Sequence, residues 1–120
     1  MKATNIALKY MEIFFSGINP ERLFEILTED LIFVGPFYRF NSSVDYVNSL
    51  LADPPVNCKY KIIKIFENES MVNLIYEFSK PAVRTMMSQM FEFRNNKINK
   101  ITLIFDTAAM TDNKKDEPDV

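Results

Sequence analysis

The 120-residue chain has no histidine, no tryptophan, two glycines and one cysteine. Each scarcity excludes something. Without histidine, the commonest metal ligand and the commonest general base near neutral pH are gone, and no Cys/His metal-ligand spacing exists. Two isolated glycines, Gly17 and Gly35, cannot build a phosphate-cradling loop. Cys58 stands alone, so no intramolecular disulfide forms. With no histidine to activate it, it is a poor nucleophile, and a lone thiol suits a reducing cytoplasm. No apolar run approaches the length of a membrane span. The start Met1-Lys-Ala-Thr-Asn5 lacks a signal peptide's apolar core. An excess of one charge is missing too. The net charge is −2, and the acidic end segment with Asp112, Asp116, Glu117 and Asp119 against Lys114 and Lys115 accounts for it. The remainder is near neutral, which argues against nucleic acid and against a polybasic membrane surface as partners. No cofactor is implied.

What the chain has is rings. Eleven phenylalanines and five tyrosines suit a core, or a pocket, lined by aromatic faces. The length fits one domain with a real core. Ile6, Tyr10, Ile13 and Phe14 recur at helical spacing before Gly17, which predicts a helix over 3–16. Asn19-Pro20-Glu21 carries the signals of a helix start, with Asn19 as cap. Leu23, Phe24, Ile26 and Leu27 would form the buried side of that helix, and Thr28-Glu29-Asp30 should break it. Leu31–Gly35 then reads as a short strand. Ser42 or Ser43 should open a third helix with Val44, Val47, Leu50 and Leu51 inward, ended at Asp53-Pro54-Pro55.

The remainder reads as antiparallel strands over 58–67, 71–79, 83–94 and 97–106. An apolar phase shift at Ile62-Ile63 predicts a bulge, and Asn95-Asn96 a two-residue hairpin. Helices first and strands after give an α+β fold, with the helices on one face of a strongly curved, mostly antiparallel sheet. One domain is expected over 1–106, followed by a disordered acidic tail over 107–120. Val72, Leu74, Tyr76 and Phe78 share one strand face, and Met71 and Ile75 the other. Val83, Met87, Phe91 and Phe93 likewise oppose Met86 and Met90. Two apolar faces suggest a homodimer through the outer sheet face.

This order, with Tyr10 and Gly17, Leu27-Thr-Glu-Asp30, Phe33, Gly35-Pro36, Phe40, Tyr46 and the Phe91–Phe93 and Lys97–Phe105 hairpin, resembles the nuclear transport factor 2-like superfamily. That group includes SnoaL-like polyketide cyclases and ketosteroid isomerases. The resemblance implies a cone-shaped α+β barrel with a pocket between helices and sheet. Ketosteroid isomerases of this kind use a helix tyrosine and a second donor as an oxyanion hole, with a carboxylate base. Carried over, the tyrosine is Tyr10, the second donor falls at Gln89, and the base falls at Gly35, which has no side chain to take a proton. Asp30 in the turn before the first strand, Asp45, Glu92 and Asp106 are the other candidate bases, and Asp106 is preferred by analogy with cyclases that use a late-strand aspartate. Tyr10 also reads as a core residue with a satisfied hydroxyl. The expectation is an apolar pocket for a small hydrophobic molecule, anchored by Tyr10 and Gln89 and walled by Phe14, Phe33, Tyr38, Met87 and Phe91. The alternatives are an isomerase, cyclase or hydrolase with a non-standard carboxylate, or a protein-interaction module.

Overall fold

The computed structural model describes residues 2–110. The apolar stripe of α1 (Ala3–Ser16) buries Ile6, Ala7, Tyr10, Met11 and Ile13 against the sheet. Gly17 ends it in the left-handed region at φ 70, with its N–H donating to the Phe14 carbonyl at 3.2 Å. A Cβ there would stand 2.7 Å from the Pro55 carbonyl oxygen. The glycine therefore serves two ends: it stops α1 and lets the backbone at Pro55 pass close by.

The second helical segment is a short 3₁₀ helix, Pro20–Glu25. Asn19 does not cap it through its side chain but takes a left-handed backbone at φ 50, a conformation asparagine tolerates. Strand β1 (Leu27–Val34) begins four residues earlier than predicted and runs through Thr28-Glu29-Asp30. The reason is pairing. Ile26 O accepts from Ile98 N at 2.8 Å, Leu27 pairs in parallel with Ile98, and the register slips before Ile32 meets Lys100. The polar triplet sits in that irregularity, where it need not alternate. Gly35 N donates to Tyr38 O at 2.9 Å, turning the chain into β2 (Arg39–Phe40) against Phe33 and Val34. Two residues are too short a strand to leave a pattern in the sequence.

Helix α2 (Ser43–Ala52) starts on Ser42, whose Oγ accepts from Asp45 N at 3.1 Å, as predicted. Its buried face is Ser43, Tyr46, Val47 and Leu50, while Val44 and Leu51 are exposed. The stripe is rotated from the expected one because α2 packs on β1, β2 and the 3₁₀ helix. Phe24 is likewise exposed rather than buried.

Strands β3 (Lys59–Glu67), β4 (Met71–Lys80), β5 (Val83–Arg94) and β6 (Lys97–Phe105) complete a six-stranded sheet in the order β2-β1-β6-β5-β4-β3. All neighbours are antiparallel except β1 with β6. The expected bulge is present, since the register slips between Ile62 and Lys64, and another slip lies between Glu92 and Phe93. Asn95 and Asn96 turn the β5–β6 hairpin at φ 54 and 63, the sign a two-residue turn of this hand needs. The sheet does not close, because β2 and β3 remain edges. The result is an α+β cone: α1 and α2 cover one face, and Val72, Leu74, Tyr76, Phe78, Met87 and Phe91 fill the space beneath them. Residues 107–110 form a helical turn rather than irregular chain. The rest of the expected acidic tail lies outside the described residues.

Candidate functional site

Four polar side chains meet inside the apolar cone, one from each of α1, α2, β4 and β5. Tyr10 is placed by the α1 stripe and Tyr46 by the rotated face of α2. Their hydroxyls share a hydrogen bond that either can donate. Tyr76 and Gln89 come from the sheet. Register sets Leu74, Gln89 and Leu103 in one inward row and Tyr76, Met87 and Phe105 in the next. Tyr76 therefore lies diagonal to Gln89 on the same face, within reach of a long side chain, and its hydroxyl donates to Gln89 Oε1 at 2.7 Å.

Burial makes these four groups chemically distinct from surface phenols. Desolvation of the charged form pushes the Tyr10 phenol up to about 12, against a smaller opposing influence of Tyr46 and then Gln89. Tyr46 is raised well above the ordinary value, first by burial and then by Tyr10. Tyr76 is raised by burial, with Tyr10 adding to it. All three stay protonated at neutral pH and act as neutral donors.

Aromatic rings enclose the hydroxyls. Phe91 meets Tyr10 edge-on with centroids 5.2 Å apart, and Phe14 stacks on it at 5.9 Å. Phe33 stacks on Tyr46 at 4.8 Å. Met87 and Phe91 are buried, and Phe14 is half-buried. Tyr38 stands apart: it is 65% exposed on the β1–β2 hairpin and does not wall the interior. It is instead the outer end of a chain of rings. Phe37 meets Phe105 at 5.5 Å, Tyr38 stacks near Phe40 at 6.2 Å, and Phe40 meets Tyr46 at 5.6 Å.

The candidate bases lie elsewhere. Asp106 is exposed, and its carboxylate accepts the Ala108 N–H at 3.0 Å, in the turn that opens residues 107–110. Asp30 is an exposed β1 residue paired with Arg94 at 2.6 Å, not a turn residue. At Gly35 a Cβ would meet the Phe33 ring at 3.1 Å, so the position faces the aromatic wall but carries no acid. Among the described residues, no carboxylate is buried and no cluster of metal-ligating side chains forms.

Sequence reasoning found Tyr10 and Gln89 but missed Tyr46 and Tyr76 as members of the cluster. Tyr76 was legible as an inward residue, but its contact with Gln89 depends on strand register. Tyr46 could have been found from the helical period only by testing a second phase of α2.

No protein-family model matches the chain, and no curated protein matches it. Solved structures do. The chain superposes on an NTF2-like protein of unknown function from Cytophaga hutchinsonii with a TM-score of 0.78 and 21% identity, over 92% of this chain and 95% of that one. An epoxide hydrolase of the LEH-like kind from M. tuberculosis gives 0.65 and 19%, over 90% and 88%. A putative ketosteroid isomerase from Kribbella flavida gives 0.64 and 14%, over 82% and 76%. The chain thus has the nuclear transport factor 2-like fold, as its sequence pattern implied. Likeness at these identities carries the fold and leaves the chemistry to the residues present.

Proposed function

We propose that the protein binds a small apolar molecule bearing one or two oxygen atoms, and that it does so without base catalysis. The observation that supports this is the convergence of Tyr10, Tyr46, Tyr76 and Gln89 inside an otherwise apolar cone, with no carboxylate among them. Recognition sites combine apolar walls with a few placed polar groups. The tyrosines supply donors to a ligand carbonyl or phenol oxygen, and Gln89 supplies an acceptor and a donor. Proton abstraction at carbon needs a base within hydrogen-bond reach, and the position that would hold it is Gly35.

The interior is closed as folded, since Tyr10 and Gln89 are buried and bonded to other protein groups. The proposed route of entry is past the β1–β2 hairpin. Its tip carries Phe37 and Tyr38, exposed rings that begin the aromatic path to Tyr46. The ligand gains burial against Phe33, Met87 and Phe91 and exchanges one hydrogen bond of the cluster for its own. No described helix is long and apolar enough to cross a membrane, and the free Cys58 suits a reducing compartment such as the cytoplasm.

Native mass spectrometry of the purified chain tests this reading. A co-purifying mass of a few hundred daltons, lost in Tyr10→Phe with Gln89→Leu, is the expected result. Bare protein in the wild type, with no apolar phenol or ketone bound on addition, contradicts it.

A second reading concerns assembly. The outward sheet face carries Phe66, Met86 and Ile104, which are 58%, 48% and 59% exposed, together with Met71, Ile75 and Met90. Register places Ile75, Ser88 and Ile104 side by side across three strands. A second copy laid on this face would cover it as an isologous dimer.

A further inference from the structure

Three cations line one cleft at the β4–β5 turn, which shares no lining residue with the tyrosine cluster. The cleft, about 600 Å³, is lined by Lys59, Lys80 and Arg84, with Asn57, Ser79 and Val83 among the other walls. Register fixes the arrangement. Lys59 lies opposite Ser79, and Ser79 opposite Arg84, so these three form one row on the outward face. With strands roughly 4.8 Å apart, two cation-bearing positions flank a hydroxyl. Lys80 ends β4 opposite Val83, in the row next to Ser79, and Pro81 and Ala82 (φ 68) turn the chain there.

No acid lines the cleft. Glu77 sits one row further along, opposite Lys61 and Met86. Among the described residues the ion pair is that of Arg94 with Asp30, so none of the three cations has a carboxylate partner. Lysines on an edge strand guard against sheet-to-sheet pairing, which accounts for Lys59 on β3. Lys80 and Arg84 lie beyond the last pairs of β3 with β4 (Lys59 with Ser79) and of β5 with β6 (Met87 with Phe105), so the three cations gather at one open end of the sheet. Like charges gathered across neighbouring strands repel, and an anion between them would remove that cost.

We propose that this cleft binds a phosphate monoester. The Arg84 guanidinium can hold two phosphate oxygens with its fork of N–H donors. Lys59 and Lys80 supply point charges from two other sides, and the Ser79 hydroxyl donates to a remaining oxygen. A phosphate dianion matches this number of charges and donors better than a carboxylate does. The cleft is larger than an inorganic phosphate, and Pro81 and Val83 provide a wall for the ester's organic group. Along β4, Ser79 faces out and its neighbour Phe78 faces in. The site is therefore separate from the tyrosine cluster, and either can fail without the other.

Amide NMR titration of the full chain with phenyl phosphate, inorganic phosphate and phenol tests the proposal. Saturable shifts confined to Lys59 and residues 79–84 are expected with both phosphates, tighter for phenyl phosphate, and absent with phenol. Arg84→Gln should weaken binding about tenfold, whereas Arg84→Lys should keep part of it. Arg84 is exposed, so neither variant threatens folding. Shifts scattered over unrelated lysines, no saturation, or no change in Arg84→Gln would overturn the site. Equal affinity for the two phosphates would overturn its assignment to an ester.

Discussion

Tyr10, Tyr46 and Tyr76 keep their protons because burial penalises the phenolate more than the cluster's hydrogen bonds favour it. This has a sign in stability. Below about pH 10, the ordinary phenol value, folded and unfolded chains both hold these protons and stability does not change with pH on their account. Above it the unfolded chain ionises first, binds fewer protons than the folded one, and is favoured. Stability should fall as pH rises from about 10 through the Tyr10 value of about 12, visible as a drop in melting temperature between about pH 10 and 12. A flat profile would mean the tyrosines are solvated. The hydrogen bond between Tyr10 and Tyr46 gives a second prediction. Tyr46→Phe leaves a buried hydroxyl short of a partner and should cost about 1–3 kcal/mol in urea unfolding. Adding Tyr10→Phe should cost less than the sum of the single changes, because both unpaired ends are then gone.

At the scale of elements, Gly17 joins α1 to the segment after α2. Gly17→Ala would need a left-handed backbone and a Cβ 2.7 Å from the Pro55 carbonyl oxygen. A loss of about 2 kcal/mol or more is expected, measured by chemical denaturation, and a neutral effect would contradict the close approach. The sequence made some elements legible and hid others for physical reasons. The phase shift at Ile62-Ile63 revealed a bulge because a one-residue slip changes which face each side chain joins. Asn95-Asn96 revealed a hairpin because few residues accept positive φ. Thr28-Glu29-Asp30 misled, since a polar triplet resembles a helix end while here it occupies the slipped register of β1 against β6. Val44 and Leu51 misled in the same way: they fit a helical stripe, but tertiary packing chose the face bearing Ser43 and Tyr46. Within the candidate site, Tyr10 and Gln89 could be read from their own faces. The contacts of Tyr46 and Tyr76 belong to pairings between elements distant in the chain, which periodicity does not encode.

At the scale of the whole molecule, an open six-stranded sheet covered by helices on one side leaves its other face to solvent or to a second copy. Sedimentation should find the wild type as a dimer, and Met86→Glu with Ile104→Glu as a monomer that still folds, since both residues are exposed. A monomeric wild type would contradict the dimer and leave the interior cluster untouched. That cluster sets donors without a base in an apolar cone. The chain has no tryptophan, so its ultraviolet emission comes from tyrosine, and three of its five tyrosines belong to the cluster. The most direct test is a titration with a planar phenol such as 2-naphthol, exciting tyrosine and following its quenching. Saturable quenching that weakens about tenfold in Tyr10→Phe and persists in Tyr38→Phe, with the phenol recovered unchanged, is the expected result. Linear, non-saturating quenching, or equal binding by Tyr10→Phe, would contradict binding at the cluster.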